Sequence, residues 1–229
     1  MVVSLKKISI IVSIKKQILK NAFRSFAVLA LVGLSSCSST TKTASSRDSD
    51  SQMIVSVRDQ SMLLVKNGKA TKIYPVSTSK FGMGSGSGTN RTPLGHLEIA
   101  QKIGDKARVG TVFKGRRPTG EVLRPNTPGR DPIVTRIMWL RGKEKSNSNT
   151  FRRLIYIHGT PEEKNIGRPA SYGCIRMKSR DVIDLYRRVG VGADVRIIRG
   201  SLDVTPEGRK YYARHGKLSH TKHLSLKFN

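Results

Sequence analysis

The sequence predicts a mainly β fold, a β-sandwich or mixed sheet with one principal helix. Three observations carry this. Short apolar runs alternate with turn residues across residues 53–199. One pair of runs is joined by Asn67-Gly68, whose residue types suit a two-residue turn with positive φ at both positions. Apolar residues at helical spacing occur once, as Val182, Ile183, Leu185, Tyr186 and Val189.

Taken in order, residues 53–58 read as a strand, and residues 61–66 and 69–74 as the two arms of the hairpin. Residues 82–95 are rich in Gly, Ser and Thr and read as a mobile loop, without the Gly-Lys-Ser/Thr ending of a phosphate cradle. Residues 96–100 form another strand. Residues 102–130 are basic, broken by Pro and Gly, and read as an excursion of loops. Residues 133–140 are a strong strand. Residues 154–158 are apolar on both faces, as expected of a strand covered on both sides. Ser179 is expected to cap the helix, Gly190 to end it, and residues 193–198 to close the sheet.

The flanks have a different texture. The first 36 residues carry six cations (Lys6, Lys7, Lys15, Lys16, Lys20 and Arg24) and no acid, followed by a short apolar run from Ser25 to Gly33. That is the layout of a secretory signal, and the run is too short to span a bilayer. Leu34-Ser35-Ser36-Cys37 resembles a bacterial lipobox, which makes Cys37 the expected site of lipidation, with a cleaved signal without lipid or an uncleaved anchor as the alternatives. The expected organisation is a signal at 1–36, a Ser/Thr-rich tether at 37–52, a β-rich body at 53–199 and a solvated basic tail at 200–229. The protein is then exported and held on a membrane, facing the periplasm or cell wall.

Forty-three Lys and Arg against 15 Asp and Glu give a formal charge of +28, which raises nucleic acid as a partner. No helix-turn-helix, RNP-like or zinc pattern accompanies it. An aromatic content of 6% is thin for base stacking. For an exported protein the fitting polyanions are lipid headgroups and wall carboxylates. Two cysteines exclude a disulfide scaffold and a cysteine-rich metal site.

With Cys37 assigned to lipid, Cys174 is a lone thiol in an exported chain. It lies in Ser171-Tyr172-Gly173-Cys174-Ile175-Arg176-Met177. A thiol needs help to ionise near neutral pH, and attack on a carbonyl needs donors for the oxyanion. Gly173 permits a tight turn that offers its own N–H and that of Cys174. Arg176 shares a face with Cys174 in extended chain and suits a thiolate or a substrate carboxylate. The heptapeptide alone fits a buried structural cysteine equally well. His158 at the end of an apolar strand changes the balance, because Cys and His together are the minimal unit of thiol catalysis. No acid stands out as a third member, and a backbone carbonyl is the alternative that orients the ring.

The segments Ile157-His158-Gly159-Thr160 and Ile166-Gly167-Arg168-Pro169 through Met177 strongly resemble the L,D-transpeptidase catalytic-domain family. Pro75-Val76-Ser77-Thr78 and Thr92-Pro93-Leu94-Gly95 are similar to segments of the same family. The family usually has His where this chain has Tyr172. The resemblance implies peptidoglycan stem peptides as substrate and no metal or organic cofactor. It implies Cys174 as nucleophile, His158 as general base and proton donor, and Gly173 as an oxyanion donor. It places Arg176, Ser171, Tyr172, Gly159 and Thr160 against substrate. Release of a terminal D-alanine would leave a thioester for an amine acceptor. A hydrolase of the same family and a non-catalytic wall-binding lipoprotein are the alternative readings.

Overall fold

The computed structural model describes residues 47–216. The signal segment, Cys37 and most of the tether lie outside these residues. Ten strands and two α-helices occur among them, with three short 3-10 turns. The strands are β1 Ser51–Ser56, β2 Ser61–Lys66, β3 Lys69–Pro75, β4 Gly95–Ile103, β5 Thr111–Lys114, β6 Arg117–Val122, β7 Ile133–Gly142, β8 Tyr156–Gly159, β9 Ile175–Met177 and β10 Asp194–Ile198. The helices are α1 Ser179–Arg188 and α2 Pro206–His215.

The strands form one mixed sheet in the order β3-β2-β1-β10-β4-β7-β5-β6, with β8 on β7 and β9 on β8. The β1–β10 and β8–β9 pairs are parallel; the others are antiparallel. Asn67 and Gly68 take φ of 49° and 69° at the β2–β3 turn, the left-handed pair such a hairpin requires. Strand β7 is the junction. It pairs with β4 through Ile137–Gly142, with β5 at Ile133 and Val134, and with β8 from Val134 to Trp139.

Alternation along the strands sorts side chains between two layers. Met138, Leu140, Ile157, Ile175 and Met177 face the main core, where Val182, Leu185 and Tyr186 of α1 cover them. Ile137, Trp139 and Tyr156 face the opposite way, join Phe113 of β5, and pack against Cys174. The apolar stripe of α1 therefore lies behind the layer that carries the candidate nucleophile.

Several expectations need correcting. Residues 102–130 contain the β5–β6 hairpin. Strand β5 is four residues long and β6 holds Pro118 and Gly120 on an edge, so neither carries a strong strand signal. Strand β9 spans three residues and exists because β8 offers it a partner. Lys178, not Ser179, is the cap of α1. The Ser179 N–H is met by Glu163 Oε1 at 2.8 Å, a carboxylate placed at the positive end of the helix. The helix ends at Arg188, before Gly190. The tether also ends earlier than residue 52. Asp48 accepts from Gly190 N at 2.6 Å, and Arg47 pairs with Glu98.

The segment after Gly200 is not simply a solvated tail. The Thr205 hydroxyl accepts the Gly208 N–H at 3.0 Å, and Pro206 occupies the first turn of α2, where its missing N–H costs nothing. Tyr211 and Tyr212 pack with Leu202 over Ile54, Leu63 and Val65, covering the outer face of β1 and β2. Residues beyond Gly216 lie outside those described.

The loop at 82–95 is pinned at many points. Thr92 N donates to Gly82 O at 3.0 Å, Gly84 N to Thr92 O at 2.8 Å, and Asn149 Nδ2 to Ser85 O at 2.7 Å. At the base of the β5–β6 hairpin, Gly110 has φ +81°, and a Cβ there would lie 2.1 Å from Leu123 O. Gly110→Ala is expected to lower unfolding stability by about 2–3 kcal/mol, through clash and backbone strain together. Gly115→Ala, with open space but φ +57°, should cost only about 1 kcal/mol. Urea unfolding of the two variants tests that order.

Candidate active site

Strands β8 and β9 lie side by side with Ile157 opposite Ile175, His158 opposite Arg176 and Gly159 opposite Met177. In parallel pairing, opposed residues share a face. His158 and Arg176 therefore project on the same side as Tyr156 and Cys174, away from the main core. The strand pair thus sets His158 and Cys174 on one face of the sheet.

His158 is 5% exposed. Its Nδ1 lies 2.8 Å from Gly159 O. A carbonyl only accepts, so Nδ1 carries the proton and Nε2 is the basic nitrogen. A backbone carbonyl thus orients the ring. Gly159 itself is confined, since a Cβ would approach Val134 O to 2.6 Å.

Cys174 is half-buried. Its Sγ accepts from Tyr156 N at 3.4 Å and donates to Leu154 O at 3.5 Å. Burial pushes the thiol up to about 11, against the pull of the Tyr156 N–H, Arg176 and Arg153. Burial pulls His158 down to about 4; the Gly159 carbonyl opposes this and the Arg176 charge adds to it. Near neutral pH the resting pair is therefore a neutral thiol and a neutral imidazole.

The turn before Cys174 is built from residues expected against substrate. Ser171 is fully buried, and its hydroxyl donates to Cys174 O at 2.6 Å. Ser171 Oγ also accepts the Gly173 N–H at 3.2 Å, so this N–H already has an acceptor within the turn. Among the described residues no acceptor takes the Cys174 N–H. Gly173 has φ +119°, and a Cβ would meet Ile155 Cδ1 at 3.1 Å. Ser171 and Gly173 thus shape the turn from beneath.

Arg176 and Thr160 are also held below the surface. The Arg176 side chain is 8% exposed, and its Nη1 lies 2.6 Å from Asp131 Oδ2 and 3.5 Å from Glu162 Oε2. Thr160 is fully buried and donates to the other Asp131 oxygen. Burial raises Asp131 above the usual carboxylate range, while Thr160 and Arg176 hold it down. This network fixes the Arg176 charge beside His158, a different task from binding substrate directly. Of the five residues expected against substrate, Tyr172 alone is largely open, at 57% exposed.

Tyr172 lines a cleft of about 500 Å³ together with Ser87, Asn90, Asn149, Arg152 and Arg153. Lys80 Nζ bonds the Tyr172 hydroxyl at 3.0 Å, and Phe81 packs on the ring at 5.4 Å. Asn149 Oδ1 is buried without a hydrogen-bond partner. Arg153 donates to Gly84 O at 3.2 Å and Arg91 O at 2.6 Å, fastening the Gly-rich loop to the cleft wall.

Sequence reasoning missed Asp131, Trp139 and Arg153. Asp131 follows Arg130 and precedes a proline, with nothing local to connect it to Arg176, 45 positions on. Trp139, the only tryptophan, was legible as a strand residue but not as part of a site.

Residues 50–197 match the L,D-transpeptidase catalytic domain. A protein of Escherichia coli strain K12 is 38% identical over 72 residues, which cover 31% of this chain and 24% of that protein. A protein of Bacillus subtilis is 26% identical over 148 residues, covering 65% of this chain and 71% of that one. Both carry L,D-transpeptidase names assigned provisionally. The chain thus spans about a quarter of the first relative's length. A solved L,D-transpeptidase from Mycobacterium smegmatis is 16% identical, covering 65% of this chain and 58% of that one at a TM-score of 0.42. With the match running over most of the folded body, the chain belongs to the L,D-transpeptidase catalytic-domain family.

A neutral resting pair has a kinetic signature. In a Cys37→Ser background, the iodoacetamide alkylation rate of Cys174 is expected to rise about tenfold per pH unit from pH 7 to 9 without levelling, because thiolate fraction limits it. A plateau between pH 5 and 8 would show a preformed thiolate–imidazolium pair instead. Asp131→Ala should cost on the order of 3 kcal/mol in denaturant unfolding, since it leaves Arg176 largely uncompensated in a buried site.

Proposed function

We propose that this member of the L,D-transpeptidase family is a peptidoglycan acyltransferase that works through a cysteine thioester. The observation that carries the reading is the shared face of His158 and Cys174, with Nδ1 of the imidazole committed to Gly159 O and Nε2 left as base. Such an arrangement suits thiol activation at the moment of attack.

The substrate in this reading is a tetrapeptide stem, and the scissile amide lies between an L-centre and a terminal D-alanine. His158 Nε2 takes the thiol proton as Cys174 Sγ bonds to the carbonyl carbon. The oxyanion is stabilised by the Cys174 N–H, with the Gly173 N–H available if it leaves Ser171 Oγ. The tetrahedral adduct collapses, the C–N bond breaks, and the imidazolium gives its proton to the departing D-alanine amine. An acceptor amine then attacks the thioester, passes its proton to His158, and releases the sulfur, which regains its proton. The acceptor is an amine of a neighbouring stem or of a wall-attached protein; water in its place gives hydrolysis.

The exported lipoprotein reading extends this. Lipid on Cys37 would hold the domain at a membrane facing the wall. The excess of basic residues suits anionic headgroups and wall carboxylates, through attraction that weakens as salt rises.

Purified full-length protein incubated with disaccharide-tetrapeptide and an amine acceptor should yield the cross-linked product by mass analysis. Cys174→Ala is expected to yield none while keeping its fold. His158→Ala should slow the reaction by about 10²–10⁴-fold, the usual worth of a general base. Full activity from Cys174→Ala would overturn the proposal. Separately, Cys37→Ser should move the protein from the membrane fraction to the soluble exported fraction of the producing cells.

A further inference from the structure

Among the cations close to the nucleophile, most already have partners. Arg176 is bound to Asp131 and Glu162, and Arg153 to the carbonyls of Gly84 and Arg91. Arg116 differs. It sits at the tip of the β5–β6 hairpin, where Gly115 and Arg116 take φ of 57° and 66°. A non-glycine residue in the left-handed region is uncommon, and here it helps turn the chain between the two strands.

The Arg116 guanidinium lies over the Trp139 ring at 4.6 Å, and Nη1 reaches the Tyr156 hydroxyl at 3.5 Å. The backbone N–H of Tyr156 is the one that contacts Cys174 Sγ. The arginine is therefore held at the far end of the same residue that borders the sulfur. Among the described residues no carboxylate pairs with it. The hairpin's own acid, Glu121, is engaged by Arg130. A guanidinium over an aromatic face keeps its in-plane N–H edges for a planar anion, and a carboxylate matches that fork bidentately. Lys114 and Arg117, both exposed beside it, add to the local positive field.

We propose that Arg116 is a specificity-determining residue that binds a free carboxylate of the stem peptide, presented by the β5–β6 hairpin and preoriented on Trp139. The inference rests on the stem-peptide reading above. It assigns to Arg116 the anchoring task that Arg176, held by Asp131, does not perform.

The test is calorimetric binding to full-length protein carrying Cys174→Ala, which cannot turn over. The two probes are disaccharide-tetrapeptide with its carboxylates free and the same compound with them amidated. The parent should prefer the free form by about tenfold, the scale of one charge-assisted contact. Arg116→Gln should shrink that preference to within about twofold, and Arg116→Lys should retain part of it. Arg116 is half-exposed, so these variants should keep the parent's thermal midpoint to within a few degrees. A preference retained in Arg116→Gln overturns the inference, as does a parent with no preference. Wild-type turnover of the free tetrapeptide, scored by mass, separates the two levels. A wild type that forms product while Arg116→Gln keeps the preference removes only the role of Arg116. A parent that binds neither probe, with no turnover by the wild type, removes the stem-peptide reading as well.

Discussion

The parallel register of β8 against β9 is the constraint on which the site depends. It sets His158 opposite Arg176, leaves Cys174 beside Tyr156, and directs Ile157, Ile175 and Met177 into the main core. A slip of one residue would exchange the faces, burying the polar residues in the core and exposing the apolar ones. The core therefore defends the geometry of the candidate site. The same methionine and isoleucines that exclude water on one side determine which side the thiol occupies. Helix α1 contributes through that core and not through any contact with Sγ.

Burial sets the chemistry in two directions at once. It disfavours both the thiolate and the imidazolium, so the resting pair carries no charge. The positive charge of Arg176 acts against the thiol shift but in the same direction as the histidine shift. Asp131 fixes that charge in place through a contact which Thr160 orients from the other carboxylate oxygen. Residues that look like substrate contacts in the motif thus form a layer beneath it. Ser171 and Gly173 shape the turn, Gly159 holds the ring, and Thr160 reaches Arg176 only through Asp131. The open surface is left to Tyr172, to the wall of the cleft, and to the hairpin that carries Arg116.

Much of the fold was legible because its signals are local. The Asn67-Gly68 turn, the strand around Trp139 and the stripe of α1 each depend on residues a few positions apart. The β5–β6 hairpin was not legible, since its short, Pro- and Gly-containing strands are stabilised by pairing with β7 rather than by propensity. Helix α2 did carry a local signal in Thr205-Pro206, a cap followed by a first-turn proline, which the basic character of the segment masked. Its placement also depends on apolar side chains of β1 and β2, far away in sequence.

By itself the sequence determined the family motif, the pairing of a thiol with an imidazole, and the prospect of a backbone carbonyl as the third member. These follow from residue types at short spacing, and such types have few chemical uses together. Only the tertiary structure decided which charged groups are engaged and which are open. Arg176 and Arg116 are the same residue type. One meets Asp131 across 45 positions of chain, while the other meets an aromatic face and no acid among the described residues. Electrostatic pairing depends on distance in space and on burial, and neither is written in the order of the residues.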